Sequence, residues 1–182
     1  MSRVTLSIPW FVGALFFNVP ASFSITVEDA YKAIPHKQVT YSASESSVDS
    51  ADREFLTKLF ALSDRALVER IETMRAFHDG EFSRLEQYKI RIRELRSELM
   101  LLEESGSTSG MKQLLSDALV SQERFFETWQ ETRNPNIGAD VDVERASAKL
   151  RQLYSVLMQR FSNETAHNRD SFYQHLCALD FK

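Results

Sequence analysis

Leu85, Tyr88, Ile92, Leu95, Leu99 and Leu102 recur at alternating steps of three and four residues. That spacing is an a/d seam, the pattern of a helix packed along its length against near-parallel or antiparallel neighbours. A half-buried strand would instead alternate with a period of two. Charges occupy the other faces, with Glu86 near Lys89 and Arg91 near Glu94.

The segments on either side read the same way. Phe55, Leu59, Leu62 and Ala66 step by four, three and four from a start near Ala51, and Leu67, Ile71 and Met74 continue on a shifted stripe. Asp49 or Ser50 is the expected N-cap. Ser105 to Gly110, the run Ser-Gly-Ser-Thr-Ser-Gly, is a loop. Met111, Leu115, Ala118, Gln122, Phe125 and Trp129 form the seam of a helix running to Thr132, with Phe126 alongside. Asn134-Pro135-Asn136-Ile137-Gly138 breaks it, and Asp140 or Asp142 is the expected cap of a last helix reaching Leu179. The stripe of that helix includes Ala146, Leu150, Leu153, Leu157, Phe161, Phe172, Leu176 and Leu179, but its middle, Ser162 to Ser171, is conspicuously polar.

One junction leaves two architectures open. Asp79-Gly80 is a turn dipeptide, yet a helix tolerates a glycine at a cost of about 1 kcal/mol. If the chain turns there, the fold class is an all-α, up-down four-helix bundle, which is the favoured expectation. If it does not, residues 51–104 form one helix of about 80 Å at 1.5 Å per residue, and the domain is an elongated three-helix coiled coil. Scarce glycine, and only Pro135 beyond Pro35, favour helix in both cases.

The N-terminus reads as an export signal. The first 24 residues carry one charge, Arg3, and an apolar run from Val4 to Val19. Such a run has the length of a signal h-region and falls short of the roughly 20 residues that span a bilayer. Small residues at Ser22 and Ser24 suit a peptidase that reads positions −3 and −1, so cleavage is expected after Ser24, with Ala21 as a second site. An uncleaved anchor is the alternative, in which case the bundle sits at a membrane. The division is therefore residues 1–24 as signal peptide, 25–50 as an arm with a serine-rich linker, and 51–182 as the bundle. Localisation is expected to be periplasmic or extracellular.

Charge and cysteine usage narrow the partners. Arg3 is the only charge before residue 25, so the remainder keeps 21 of the 22 basic residues against all 26 acidic ones, a net charge of −5. That balance argues against nucleic acid, whose phosphates need a basic face. Cys177 is the only cysteine, which allows no internal disulfide and no covalent haem attachment. A buried or inert thiol is the plainer reading of it, and an intermolecular disulfide the sharper one.

In the arm, residues 25–34 read as a short helix with Thr26 as cap and Glu28 and Asp29 in its first turn, ended by Pro35. Residues 42–50 hold five serines and two acids and read as a solvated linker. Tyr31, Ile34, His36 and Tyr41 form either a docking strip or the contact by which the arm lies on the bundle.

Candidate sites are few. Glu164 and His167 form a Glu-x-x-His pair one helical turn apart, the spacing that aims metal ligands into di-iron bundles. His175 lies eight residues further on, near the same face, and completes the candidate metal set. Such sites need more ligands than the sequence groups here, and the plain alternative is a solvated helix face. A non-covalent haem would use a histidine with Met74, Met111 or Met158, although methionine on an apolar stripe usually fills core. His78 beside Asp79 has no nucleophile motif near it, so it reads as a helix-end residue. Phe125, Phe126 and Trp129 are broader than one seam requires and read as a wide buried face or as a partner-binding face. The sequon Asn163-Glu164-Thr165 is a glycosylation acceptor only in a eukaryotic secretory pathway.

No catalytic signature emerges, and no cofactor is required. The expectation is an exported helical-bundle protein acting as a binding or scaffold module, with a protein partner or self-association. A metal- or haem-binding bundle is the alternative.

Overall fold

A computed structural model describes residues 25–34, 39–136 and 140–181. The signal-peptide reading, Pro35, His36 and the Ile137-Gly138 part of the expected break lie outside the described residues. Among these residues the fold is all-α, with six α-helices and no strand. None of the helices is long and apolar enough to cross a membrane.

Helix α1 spans Val27–Lys32, α2 Ser50–His78, α3 Arg84–Met100, α4 Met111–Thr132, α5 Asp140–Arg160 and α6 Ala166–Leu179. Thr26 caps α1 by accepting from Asp29 N–H at 3.1 Å. Asp49, not Ser50, caps α2, accepting from Ala51 N–H and Asp52 N–H at 3.0 and 2.9 Å. Neither Asp140 nor Asp142 precedes the last helix as a cap would: α5 begins at Asp140 itself, so both lie in its first turn, with Asp142 paired with Arg145.

The chain turns at Asp79-Gly80. Gly80 adopts φ +83, a left-handed conformation that glycine takes at little steric cost, so α2 stops and α3 starts a few residues later. The elongated three-helix alternative required a continuous helix here and does not form. Leu85, Tyr88, Ile92, Leu95 and Leu99 of the seam are buried. The helix ends at Met100, so Leu102 packs only partly against the core from the following turn.

The last segment corrects the sequence reading. One helix was expected to reach Leu179, but it breaks after Arg160 and restarts as α6. Thr165 accepts from Asn168 N–H at 3.3 Å and caps the new helix, which places the break inside the polar stretch. Tyr154 then meets Tyr173, Phe161 meets Phe172, and Ser147 donates to Asp180, so α6 runs back along α5. Helices α2, α3, α4 and α5 are successive neighbours, and α6 closes the ring between α5 and α2.

The buried end of α6 is satisfied by side chains. Arg70 Nη2 donates to Ala178 O and Gln122 Nε2 donates to Leu179 O, both at 2.6 Å. Helix C-termini leave carbonyls without intrahelical partners, so these two residues, one from α2 and one from α4, fix where α6 stops. Burial pulls the Arg70 guanidinium down to about 10, which leaves it charged at neutral pH.

Candidate functional site

The titratable residues singled out from the sequence gather where the N-terminal arm crosses the α5–α6 corner. His175 sits on α6 and is 3% exposed. Its Nδ1 lies 2.8 Å from Asp64 Oδ1 on α2 and 2.9 Å from the Tyr31 hydroxyl on α1. The Tyr31 hydroxyl donates to the same Asp64 oxygen at 2.7 Å. From the other side, Tyr41 N–H donates to His175 Nε2 at 3.2 Å.

These contacts define the imidazole. A backbone N–H only donates, so Nε2 is an acceptor and the ring proton resides on Nδ1, where it is given to Asp64. The ring stacks on Phe60 at 4.6 Å between centroids, and Phe60 stacks in turn on Phe172 at 5.5 Å. Burial, with the Asp64 charge beside it, pushes the Tyr31 hydroxyl far above its ordinary value, so it remains a proton donor.

Glu164 lies in the corner itself and is 5% exposed. Its Oε2 accepts from Ser46 Oγ at 2.6 Å. Its Oε1 accepts from Ser47 N–H at 2.9 Å and from Thr165 N–H at 2.8 Å. Burial alone would raise the carboxyl, but the hydrogen bonds from Ser46, Ser47 and Thr165 outweigh it and hold Glu164 below the ordinary carboxylate value. His167 is exposed and uses Nε2–H to reach Thr40 O at 3.0 Å. Asn168, fully buried, accepts from Ser42 N–H at 2.8 Å and donates to Ser42 O at 3.0 Å, so it pairs with the arm as a strand neighbour would.

The candidate metal ligands Glu164, His167 and His175 are thus spread along one strip and engaged one by one with the arm. Among the described residues no group of three metal-ligating side chains forms. A metal on this strip would have to displace Tyr41, Thr40 and Ser46 from the donor atoms they occupy. His175 and Asp64 have the geometry of an oriented base, but the nitrogen a base would use is closed by Tyr41 N–H and buried. What the strip does chemically is hold the arm by the backbone of residues 40–42 and Ser47 and the Ser46 hydroxyl, on either side of a 3-10 turn at Ala43–Glu45.

Tyr31 and Tyr41 lie against the bundle, the second of the two readings of the arm, and Ile34 packs partly on the core. Nothing in the local sequence marks Asp64 and Asn168, because their partners lie 111 and 126 residues away in the chain. Phe125, Phe126 and Trp129 are placed in the core rather than on a free face, at 6%, 0% and 4% exposure. Phe126 and Trp129 pack edge-on with Phe77, Phe126 also edge-on with Phe181, and the set fills the end of the bundle where α2 turns into α3. Met111 is fully buried, while Met74 and Met158 are partly buried against the core. No family model, curated protein or solved structure matches this chain.

Proposed function

We propose that this protein is exported through its N-terminal segment, which is removed, and that the mature bundle works by binding a protein rather than by catalysis. The observation that carries the reading is a groove of about 210 Å³ between α5 and α6, lined by Tyr154, Tyr173, Leu150, Leu176 and Cys177. Tyr173 is 49% exposed there, a large amphipathic ring at the rim of a mostly apolar surface. Meanwhile the histidines and the glutamate that would serve chemistry on this corner are consumed by the arm. The acidic charge balance favours a protein, or a second copy of this chain, over nucleic acid.

Photo-crosslinking in the exported fraction tests this. A benzoylphenylalanine at position 173 is expected to give one discrete adduct, at twice the monomer mass if the partner is a second copy. The same probe at Ile90, exposed on α3, serves as the control. Equal, diffuse labelling from both positions would contradict the proposal.

A further inference from the structure

Ile25 is the first residue after the small pair Ser22 and Ser24 that follows the apolar N-terminal run. In the folded chain its backbone N–H donates to Glu72 Oε1 at 2.7 Å. Its side chain packs partly buried on the core, and Thr26 opens α1 directly behind it. The Ile25 nitrogen therefore has a fixed position at a cavity of about 530 Å³ whose lining includes Glu69, Glu72 and Arg84.

The charge in that cavity is incompletely balanced. Arg84 Nη2 is shared between Glu69 Oε2 at 2.8 Å and Glu72 Oε2 at 2.6 Å. Burial raises the Glu69 carboxyl despite Arg84, and the neighbouring Glu72 charge adds to the rise. Glu72 Oε1 is turned away from Arg84 and toward Ile25. An amide N–H meets that oxygen with a neutral donor, whereas an ammonium would meet it with a full charge and a stronger hydrogen bond.

We propose that cleavage between Ser24 and Ile25 creates an α-ammonium group that pairs with Glu72 and locks the processed arm onto α2. This rests on the export reading above. In the step, a signal peptidase adds water across the Ser24–Ile25 amide. The C–N bond breaks, Ser24 leaves as a carboxylate, and Ile25 keeps the nitrogen, which is protonated. Processing thus places a cation at the Glu72 oxygen that Arg84 does not bond, in a cavity that already holds Arg75, Arg84 and Arg91 against Glu69, Glu72, Asp79 and Glu81.

The ammonium also sets a pH dependence. Facing it are Glu69, Glu72, Arg75 and Asp79 from α2 and its turn, and Glu81, Arg84 and Arg91 from the α3 side. Its own helix adds Glu28 and Asp29. Pairing with Glu72 raises the folded value of the amine above the ordinary 7.7–8.0. The stabilisation is then fully present below that ordinary value and is lost as pH rises through the folded one.

The test uses the full-length gene, with protein purified from the exported fraction. N-terminal sequencing is expected to read Ile25. Inserting Gly-Ser between Ser24 and Ile25 moves the ammonium away and is expected to lower Tm by about 2–4 °C at pH 7. The difference should vanish at pH 10 and in a Glu72→Gln background. As a second measurement on the uninserted protein, the α-amino pKa followed by nitrogen NMR should lie above 8 and fall on Glu72→Gln. A chain that starts at Ile25 with an insertion-independent Tm and an ordinary α-amino pKa overturns the inference and leaves export intact. A first residue other than Ile25 also overturns the inference alone. Recovery only of unexported chain starting at Met1 overturns the export reading itself.

Discussion

Asp64 and His175 meet across the α2–α6 interface with Oδ1 and Nδ1 2.8 Å apart, although 111 residues separate them in sequence. The pair does for the arm what a binding site does for a ligand. Asp64 fixes the imidazole proton on Nδ1, and the freed lone pair on Nε2 accepts the Tyr41 backbone.

Replacing His175 by Ala should therefore release residues 39–48 while leaving the helices folded. The change removes a buried ring stacked on Phe60 and leaves Asp64 and the Tyr31 hydroxyl with a lost partner. The expected loss is about 2–4 kcal/mol, read from the urea midpoint. New proteolytic cleavage should appear in the arm with helical circular dichroism unchanged.

Glu164 gives the arm a dependence on acidity. Its carboxyl is held below the ordinary value of about 4.3, so its contribution is present above that pH and is lost as pH falls through the lower folded value. Amide exchange at Ser47 is expected to rise only once pH falls below the ordinary carboxylate value, and before the helices melt. Glu164→Gln should cost about 1–3 kcal/mol and flatten that dependence.

The heptad steps made the all-α class and the α3 and α4 seams readable, because periodic burial is a local property of sequence. The break between α5 and α6 was not readable. Ser162-Asn163-Glu164-Thr165 contains neither glycine nor proline, and a polar run of that kind also describes a solvated helix face. Only the return of α6 along α5, fixed by Arg70 and Gln122 at its far end, shows that Thr165 is a cap. The same holds for the strip. Glu164, His167 and His175 stood out as polar groups on one stretch, but what they bind lies 117 to 134 residues away in the arm. Sequence spacing finds neighbours on one helix and is blind to such pairs.

Arg70 and Tyr88 offer opposite expectations from similar burial. Arg70→Met takes the donor from Ala178 O and should cost about 1–3 kcal/mol, with exchange increased at the end of α6. The Tyr88 hydroxyl is buried without a hydrogen-bond partner among the described residues. Tyr88→Phe removes that group and is expected to be neutral or to stabilise by up to about 1 kcal/mol in the same urea titration.

The turn between α2 and α3 depends on a conformation rather than on space. No atom lies within 4 Å of a Cβ built on Gly80, yet its φ of +83 strains any other residue. Gly80→Ala should lower stability by about 1 kcal/mol. Gly106→Ala, equally open but without a positive φ, should change it by less than about 0.5 kcal/mol in parallel melts.

Amide hydrogen exchange in the arm tests most directly that this strip holds the chain's own N-terminal arm. The backbone N–H groups of Tyr41, Ser42 and Ser47 donate to His175, Asn168 and Glu164 respectively. Each is expected to exchange more slowly than an unfolded chain by about a hundredfold or more at neutral pH. Exchange of all three at unfolded-chain rates, in a protein whose helices are protected, would contradict it.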